Sequence, residues 1–143
     1  MVEELLGSAP IVGKAGPVDP IESVTAAKIF GIYFSAHWCP PCRAFTPVLA
    51  SVYEEANANG KVFEVIFASS DQSQAEFDGY YKTMPWLALP FGDERKKALS
   101  TKFAVSGIPR LVILKADGTV IDENARGAIQ GNGPAAIEEY LSK

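Results

Sequence analysis

Apolar residues in this chain form two long runs with a helical stripe between them. The run at 28–35 is apolar almost throughout and predicts a central strand buried on both faces, and the run at 62–69 predicts a second strand. The stripe has the i, i+3, i+4, i+7, i+8, i+11 spacing of an amphipathic helix and consists of Phe45, Val48, Leu49, Val52, Tyr53 and Ala56. Pro47 predicts a kink in this helix, and Gly60 is where we expect it to stop.

Four further helices are predicted from shorter patterns. The first spans about 21–27, the second ends before Pro85, the third is capped by Asp93, and the fourth opens at Pro134. Inward residues are predicted for the last three of these helices. They are Phe77, Tyr80, Tyr81 and Met84 in the second, Leu99 and Phe103 in the third, and Ile137, Tyr140 and Leu141 in the fourth.

The order of these elements predicts an α/β fold. Strand–helix alternation in the first half favours parallel strands, and Asp117-Gly118 between the runs 110–115 and 119–122 indicates a hairpin that adds antiparallel ones. We expect a single domain over 1–143, with a mixed β-sheet and helices on both faces. The first 20 residues are rich in Gly and Pro and are predicted to form a loosely ordered arm, with a short edge strand near Ile11-Val12.

Composition narrows the function classes. The formal net charge of −4 offers no basic face for nucleic acid, and no apolar stretch approaches the roughly 18 residues needed to cross a membrane. The acidic N-terminus lacks the positive region and apolar run of a signal peptide. We therefore expect a cytoplasmic protein, with the nucleus as the alternative, in a compartment where disulfides are mostly catalytic or sensing.

Both cysteines lie in one segment, Trp38-Cys39-Pro40-Pro41-Cys42, between the first strand and the striped helix. In that context two thiols separated by two residues indicate a redox motif. Unpaired backbone N–H groups and the helix dipole favour the thiolate of a cysteine at the first turn, which is the position of Cys39. Cys42 lies one turn further on, so we assign Cys39 as the attacking thiol and Cys42 as the resolving thiol.

Three alternatives for this segment are disfavoured. Zinc requires four ligands, whereas Cys39, Cys42 and the only histidine, His37, supply three. A structural disulfide across two residues encloses too small a loop to restrict the unfolded chain much. A thiol protease is excluded because His37, two residues from Cys39, cannot provide the required Cys–His geometry.

Residues 33–43 resemble the active-site segment of the thioredoxin superfamily, and more narrowly its nucleoredoxin/tryparedoxin branch. The resemblance continues through 45–47, 84–91 and 107–109 and covers most of the chain from about 28 to 122. It implies a thioredoxin-like fold and a cis peptide bond between Ile108 and Pro109, facing the cysteines. Without this resemblance, Pro109 would be interpreted as an ordinary loop proline after Ile108, and Trp38 would be interpreted as a surface or core-packing residue.

The resemblance also implies a substrate-binding surface around the cysteines. The Ile108 backbone would pair with an extended substrate strand, and Trp38 would flank the nucleophile. The substrate-binding residues that follow from it are Trp38, Pro40, Pro41, Ile108 and Pro109.

Several positions depart from the pattern of related families. Tyr33 stands where ordinary thioredoxins carry a buried acid, so the Tyr33 hydroxyl or water is left to deprotonate Cys42. Ser70 replaces a tryptophan of tryparedoxins, whose richer acidic run is reduced here to Asp71 and Glu76.

Three basic residues have open roles. Arg110 either selects acidic partners or is simply a solvated arginine at the end of a strand. We favour the second interpretation. A protonated His37 could stabilise the Cys39 thiolate, or the His37 side chain could simply point to solvent. We favour the second interpretation. Arg126 matches an arginine implicated in contacts with the glutathione-type cofactor of tryparedoxins.

Two functions use the cysteine pair. The first is an enzyme of cell redox homeostasis, a protein-disulfide reductase without a bound cofactor. It takes electrons from an external reductase or low-molecular-weight dithiol and passes them to oxidised proteins, a peroxidase among the candidates. The second is a redox-gated protein-binding module with little turnover. In both cases we expect a monomer without nucleic-acid or membrane partners.

Overall fold

The computed structural model describes residues 2–143. Its strands are β1 (Ile11–Gly13), β2 (Gly16–Val18), β3 (Ile29–Ser35), β4 (Phe63–Ser69), β5 (Leu87–Ala88), β6 (Arg110–Lys115) and β7 (Val120–Asp122). They form one sheet in the order β2-β1-β5-β4-β3-β6-β7. Because β3 pairs in parallel with β4 and antiparallel with β6, the sheet is mixed, as predicted.

Helices cover both faces of the sheet. They are α1 (Val2–Leu6), α2 (Pro20–Thr25), α3 (Pro40–Ala56), α4 (Gln74–Tyr81), α5 (Glu94–Lys102), α6 (Arg126–Asn132) and α7 (Pro134–Leu141). Side chains of α3, α4, α6 and α7 pack with Ile29 and Tyr33 of β3, whereas those of α1, α2 and α5 pack with Phe30, Ile32 and Phe34. Successive residues of a strand point to opposite faces, so β3 contributes to two separate cores and is buried along its whole length. The predicted α/β architecture is confirmed.

Residues 2–20, for which the sequence predicted a loosely ordered arm or an edge strand, contain regular structure. Within residues 2–20, α1 and the antiparallel β1–β2 pair are formed, and Val2, Leu6 and Ile11 are buried. The expected edge strand near Ile11-Val12 is present as β1. The Arg95 guanidinium holds this segment by donating hydrogen bonds to the carbonyl oxygens of Leu6, Ala9 and Pro10.

Helix α3 differs from its prediction in two details. Val48, placed on the buried stripe, is 38% exposed. The helix ends at Ala56, before Gly60, because the Asn57 side chain turns the chain by accepting from the backbone N–H groups of Val62 and Phe63. None of the helices within residues 2–143 is long and apolar enough to cross a membrane.

Candidate active site

Cys39 is the N-cap of α3, and Pro40 and Pro41 open the helix. Proline suits these positions because the first helical N–H groups have no intrahelical partner. The backbone N–H of Cys42 donates to the Cys39 Sγ at 3.4 Å, which places this sulfur over the first turn. A negative charge on Cys39 is therefore met by an N–H dipole and by the positive end of the helix.

The two cysteines are free thiols with unequal access to solvent. Cys39 keeps 5% of its surface exposed, whereas Cys42 has none. Burial, followed by a hydrogen bond with Cys39, raises the pKa of Cys42 to about 11. Only Cys39 is therefore placed to meet an incoming disulfide.

Four hydroxyl groups form a cluster beneath Cys42, and we call it the hydroxyl cluster: Tyr33, Ser35, Thr46 and Tyr80. The Tyr33 hydroxyl lies 2.6 Å from Thr46 Oγ1, which lies 2.7 Å from the Tyr80 hydroxyl. The Tyr80 hydroxyl lies 2.7 Å from Ser35 Oγ. Burial raises the pKa of Tyr33 well above its ordinary value, so this phenol is neutral in the physiological range.

The turn before Cys39 is held by the loop that follows β4. Trp38 is 49% exposed, and its indole N–H donates to the Ser70 carbonyl at 2.9 Å. The His37 N–H donates to Asp71 Oδ1 at 2.6 Å, and the Ser69 hydroxyl donates to the other carboxylate oxygen. These contacts fix the indole beside Cys39 while leaving about half of it open to solvent.

A cis peptide bond joins Ile108 and Pro109, as the resemblance implied. The Ile108 carbonyl oxygen lies 3.8 Å from Cys39 Sγ, so this loop faces Cys39. A cavity of about 470 Å³ adjoins it and is lined by Trp38 and Ile108, among others. The structure thus brings Trp38 and Ile108 beside Cys39, with Cys42 buried next to it.

The three basic residues occupy different settings. His37 is exposed, and its ring makes an edge contact with Tyr80, with ring centroids 5.6 Å apart. Arg110 donates from Nε to the Glu123 carbonyl at 2.8 Å, a contact that ties a strand end to a loop. Arg126 begins α6, and its Nε is buried without a hydrogen-bond partner among residues 2–143.

The sequence prediction named Tyr33 but missed the other three hydroxyls. Ser35 lies two residues after Tyr33 on the same strand face, and Thr46 lies one helical turn after Cys42, so both carried a periodic signal. Tyr80 was assigned only to the core, because no local pattern shows which strand its helix will cover.

Comparison with known proteins supports the resemblance. A family described as thioredoxin-like matches residues 27–120. "Probable nucleoredoxin 1" of Arabidopsis thaliana is 47% identical over 136 residues, which cover 93% of this chain but 23% of that protein. This chain therefore spans less than a quarter of the length of that relative.

Solved structures show the same relationship. Tryparedoxin from Trypanosoma brucei superposes with a TM-score of 0.86 at 38% identity, covering 97% of this chain and 96% of that one. Tryparedoxin II complexed with glutathionylspermidine superposes with a TM-score of 0.84 at 39% identity, and the match covers 94% of each chain. These matches confirm the fold, and the chain belongs to the thioredoxin-like family, in its nucleoredoxin/tryparedoxin-like branch.

Proposed function

We propose that this chain is a thiol–disulfide oxidoreductase that reduces protein disulfides through Cys39 and Cys42. The observation that carries the proposal is the unequal placement of the two thiols on one helical turn. Cys39 caps the helix and keeps 5% of its surface exposed, and Cys42 lies one turn further along with none exposed.

The reaction proceeds in two exchange steps. The Cys39 thiolate attacks one sulfur of a substrate disulfide, forms a mixed disulfide and releases the other substrate sulfur as a thiol. Cys42 then loses its proton and attacks Cys39 Sγ, which breaks the mixed disulfide and forms the Cys39–Cys42 bond. The substrate gains two electrons and the protein loses two.

The substrate surface consists of Trp38, Pro40, Pro41, Ile108 and Pro109. The half-exposed indole offers an apolar contact, and the backbone of Ile108 beside Cys39 offers hydrogen-bonding groups to an extended peptide. We therefore expect an unfolded or loop segment of an oxidised protein as the substrate. The electron donor is an external dithiol or reductase. A related structure, tryparedoxin II complexed with glutathionylspermidine, supports a low-molecular-weight compound as a partner.

Insulin-disulfide reduction tests this proposal. With dithiothreitol as the donor, we expect catalytic turnover, which is then repeated with thioredoxin reductase, glutathione or trypanothione to identify the physiological donor class. Cys39→Ser should abolish turnover, and Cys42→Ser should lose turnover while accumulating mixed disulfides on non-reducing gels.

The same assay separates the reductase from a redox-gated binding module. A Cys39–Cys42 couple that oxidises and reduces normally but shows no turnover with any donor would favour the binding module. Full turnover in Cys42→Ser would contradict the assignment of the resolving thiol.

A further inference from the structure

The cavity of about 470 Å³ beside Cys39 lies where a substrate chain would pass, and we call it the Trp38–Ile108 cavity. Trp38 directly precedes Cys39, and the Ile108 carbonyl oxygen lies 3.8 Å from Cys39 Sγ. A substrate segment that pairs with the Ile108 backbone while its disulfide meets Cys39 therefore places a flanking side chain over this cavity.

Apolar side chains form much of the wall of the Trp38–Ile108 cavity. Phe34 of β3 is buried, and Val105 and Ile108 are half-buried. The methylene stem of an entering side chain would leave water on contact with these groups, which is favourable. The cavity therefore suits a side chain with an apolar stem, and its polar groups determine which end such a side chain should have.

Among residues 2–143, Lys96 of α5 is the only charged side chain that lines this cavity. Ser100 lies one turn later on the same face of the helix, and Ser70 and Ser106 contribute two further hydroxyl groups. Lys96 is half-buried, so its charge acts partly out of bulk water. The polar part of the cavity is therefore positive and rich in hydrogen-bond donors.

The Lys96 ammonium pairs with no carboxylate of residues 2–143. Two acids close to it in the chain or in the neighbouring loop are already engaged. Asp93 pairs with Arg95 at 2.8 Å, and the Asp71 carboxylate accepts from the His37 N–H and the Ser69 hydroxyl. The ion pairs of the described chain use other basic residues, namely Lys61, Arg95 and Lys143. The positive charge in the cavity is therefore free for a partner.

The other basic side chains close to the motif lie elsewhere. His37 and Arg43 line a separate groove of about 690 Å³. Arg110 does not line the Trp38–Ile108 cavity, and its Nε donates to the Glu123 carbonyl. An electrostatic preference of this cavity would therefore depend on Lys96.

We infer that the Trp38–Ile108 cavity selects substrate segments with a glutamate or aspartate close to the reactive cysteine, and that Lys96 sets this preference. The inference rests on the function proposed above, since it names the class of protein disulfide that the Cys39–Cys42 couple reduces. The substrate carboxylate accepts from the Lys96 ammonium while its stem packs against the apolar wall. A basic side chain in the same place is repelled, so the charge both attracts one class of segment and disfavours another.

The reaction of the reduced protein with three peptide disulfides tests this selectivity. Each disulfide joins two copies of a peptide through one cysteine, with Glu, Gln or Lys at the three positions on each side of it. Alkylation and mass spectrometry follow the oxidation of Cys39 and Cys42 and give a second-order rate constant. The ratio of the Glu to the Gln rate constant is compared between protein variants, because the intrinsic reactivity of each peptide then cancels.

In Lys96→Met, we expect the Glu-to-Gln ratio to fall about three- to fivefold and the Lys-to-Gln ratio to rise, while the Gln peptide reacts within about twofold of wild type. Lys97→Met is the matched control, because it removes the same charge from an exposed position of the same helix, and it should leave both ratios unchanged. The difference between wild type and Lys96→Met should shrink in about 0.5 M salt, which screens half-exposed charges. A purely structural effect of the substitution would slow all three peptides at every salt concentration.

A Glu-to-Gln ratio in Lys96→Met within about 1.5-fold of wild type would overturn the inference, and so would an equal change in Lys97→Met. Reduction of glutathione disulfide is measured in parallel. If Lys96→Met slows that reaction but leaves the peptide ratios unchanged, the cavity receives a low-molecular-weight disulfide and the inference is wrong. A wild-type protein that oxidises with none of the three peptides and does not turn over insulin would overturn the proposed function itself, whereas insulin turnover without charge selectivity would overturn this inference alone.

Discussion

Gly31 lies in the middle of β3, between β4 and β6, where the space for a side chain is nearly closed. A methyl group placed there would lie 2.9 Å from Leu111 Cδ1 and 3.3 Å from Ile113 Cδ1. Both neighbours are fully buried, so neither can move aside freely.

We therefore expect Gly31→Ala to lower the free energy of unfolding by about 1–3 kcal/mol. Gly127→Ala is the control, since a methyl group on this helical residue would have no atom within 4 Å, and it should be neutral or stabilising by up to about 1 kcal/mol. Urea denaturation measures both. Equal stability of the two variants would show that β3 has more room than the structure indicates.

Helix α1 is a short element that depends on a residue far away in the sequence. Arg95, 89 positions after Leu6, supplies hydrogen bonds to three carbonyl oxygens at and beyond the end of α1. Asp93 holds the guanidinium by accepting from Arg95 Nε at 2.9 Å and Nη2 at 2.8 Å.

Arg95→Met keeps an unbranched side chain but removes all of these donors, so we expect a loss of about 1–3 kcal/mol in stability. Hydrogen exchange should quicken for residues 2–10, while insulin reduction stays close to wild type. Lys97→Met, at an exposed position of the same helix, is the control and should change neither measurement. Unchanged exchange in residues 2–10 of Arg95→Met would contradict the anchoring role.

Elements that depend on contacts with distant residues, as α1 depends on Arg95, could not be predicted from the sequence, whereas elements with a local pattern could. The strands β3, β4, β6 and the helices α3, α4, α5 and α7 follow from local periodicity or from caps, and Cys39 and Cys42 from their spacing. Helix α1 and the two-residue strand β5 are too short to show a period. Helix α6 contains two glycines and forms against α3 and α7, so its stability comes from contacts that no local pattern contains.

At the scale of the whole molecule, every tyrosine is buried. Burial is the main cause that raises the pKa of all five: Tyr33, Tyr53, Tyr80, Tyr81 and Tyr140. In the unfolded chain they ionise near pH 10, whereas in the folded chain they keep their protons to higher pH. The stability that this difference contributes is fully present below pH 10 and is lost as pH rises.

We expect alkaline unfolding in one cooperative step, in which phenolate absorbance appears together with the loss of far-ultraviolet circular dichroism. Each tyrosine steepens the loss by about 1.4 kcal/mol per pH unit once it ionises in the unfolded chain. Tyr140→Phe should make the loss less steep by one such increment. Phenolate absorbance that develops near pH 10 while the dichroism stays native would contradict this expectation.

The two tryptophans sit in opposite environments. Trp38 is half exposed and adjoins Cys39, whereas Trp86 is fully buried, and its ring contacts Tyr33 and Tyr53 at centroid distances of 5.9 and 5.6 Å. In spectroscopic terms, the emission of the chain has a red, solvent-quenchable component beside the cysteine pair and a blue component in the core. We expect the first to respond to the oxidation state of Cys39 and Cys42 and to a bound partner, and the second to respond to unfolding, so one emission spectrum would report separately on chemistry and on stability.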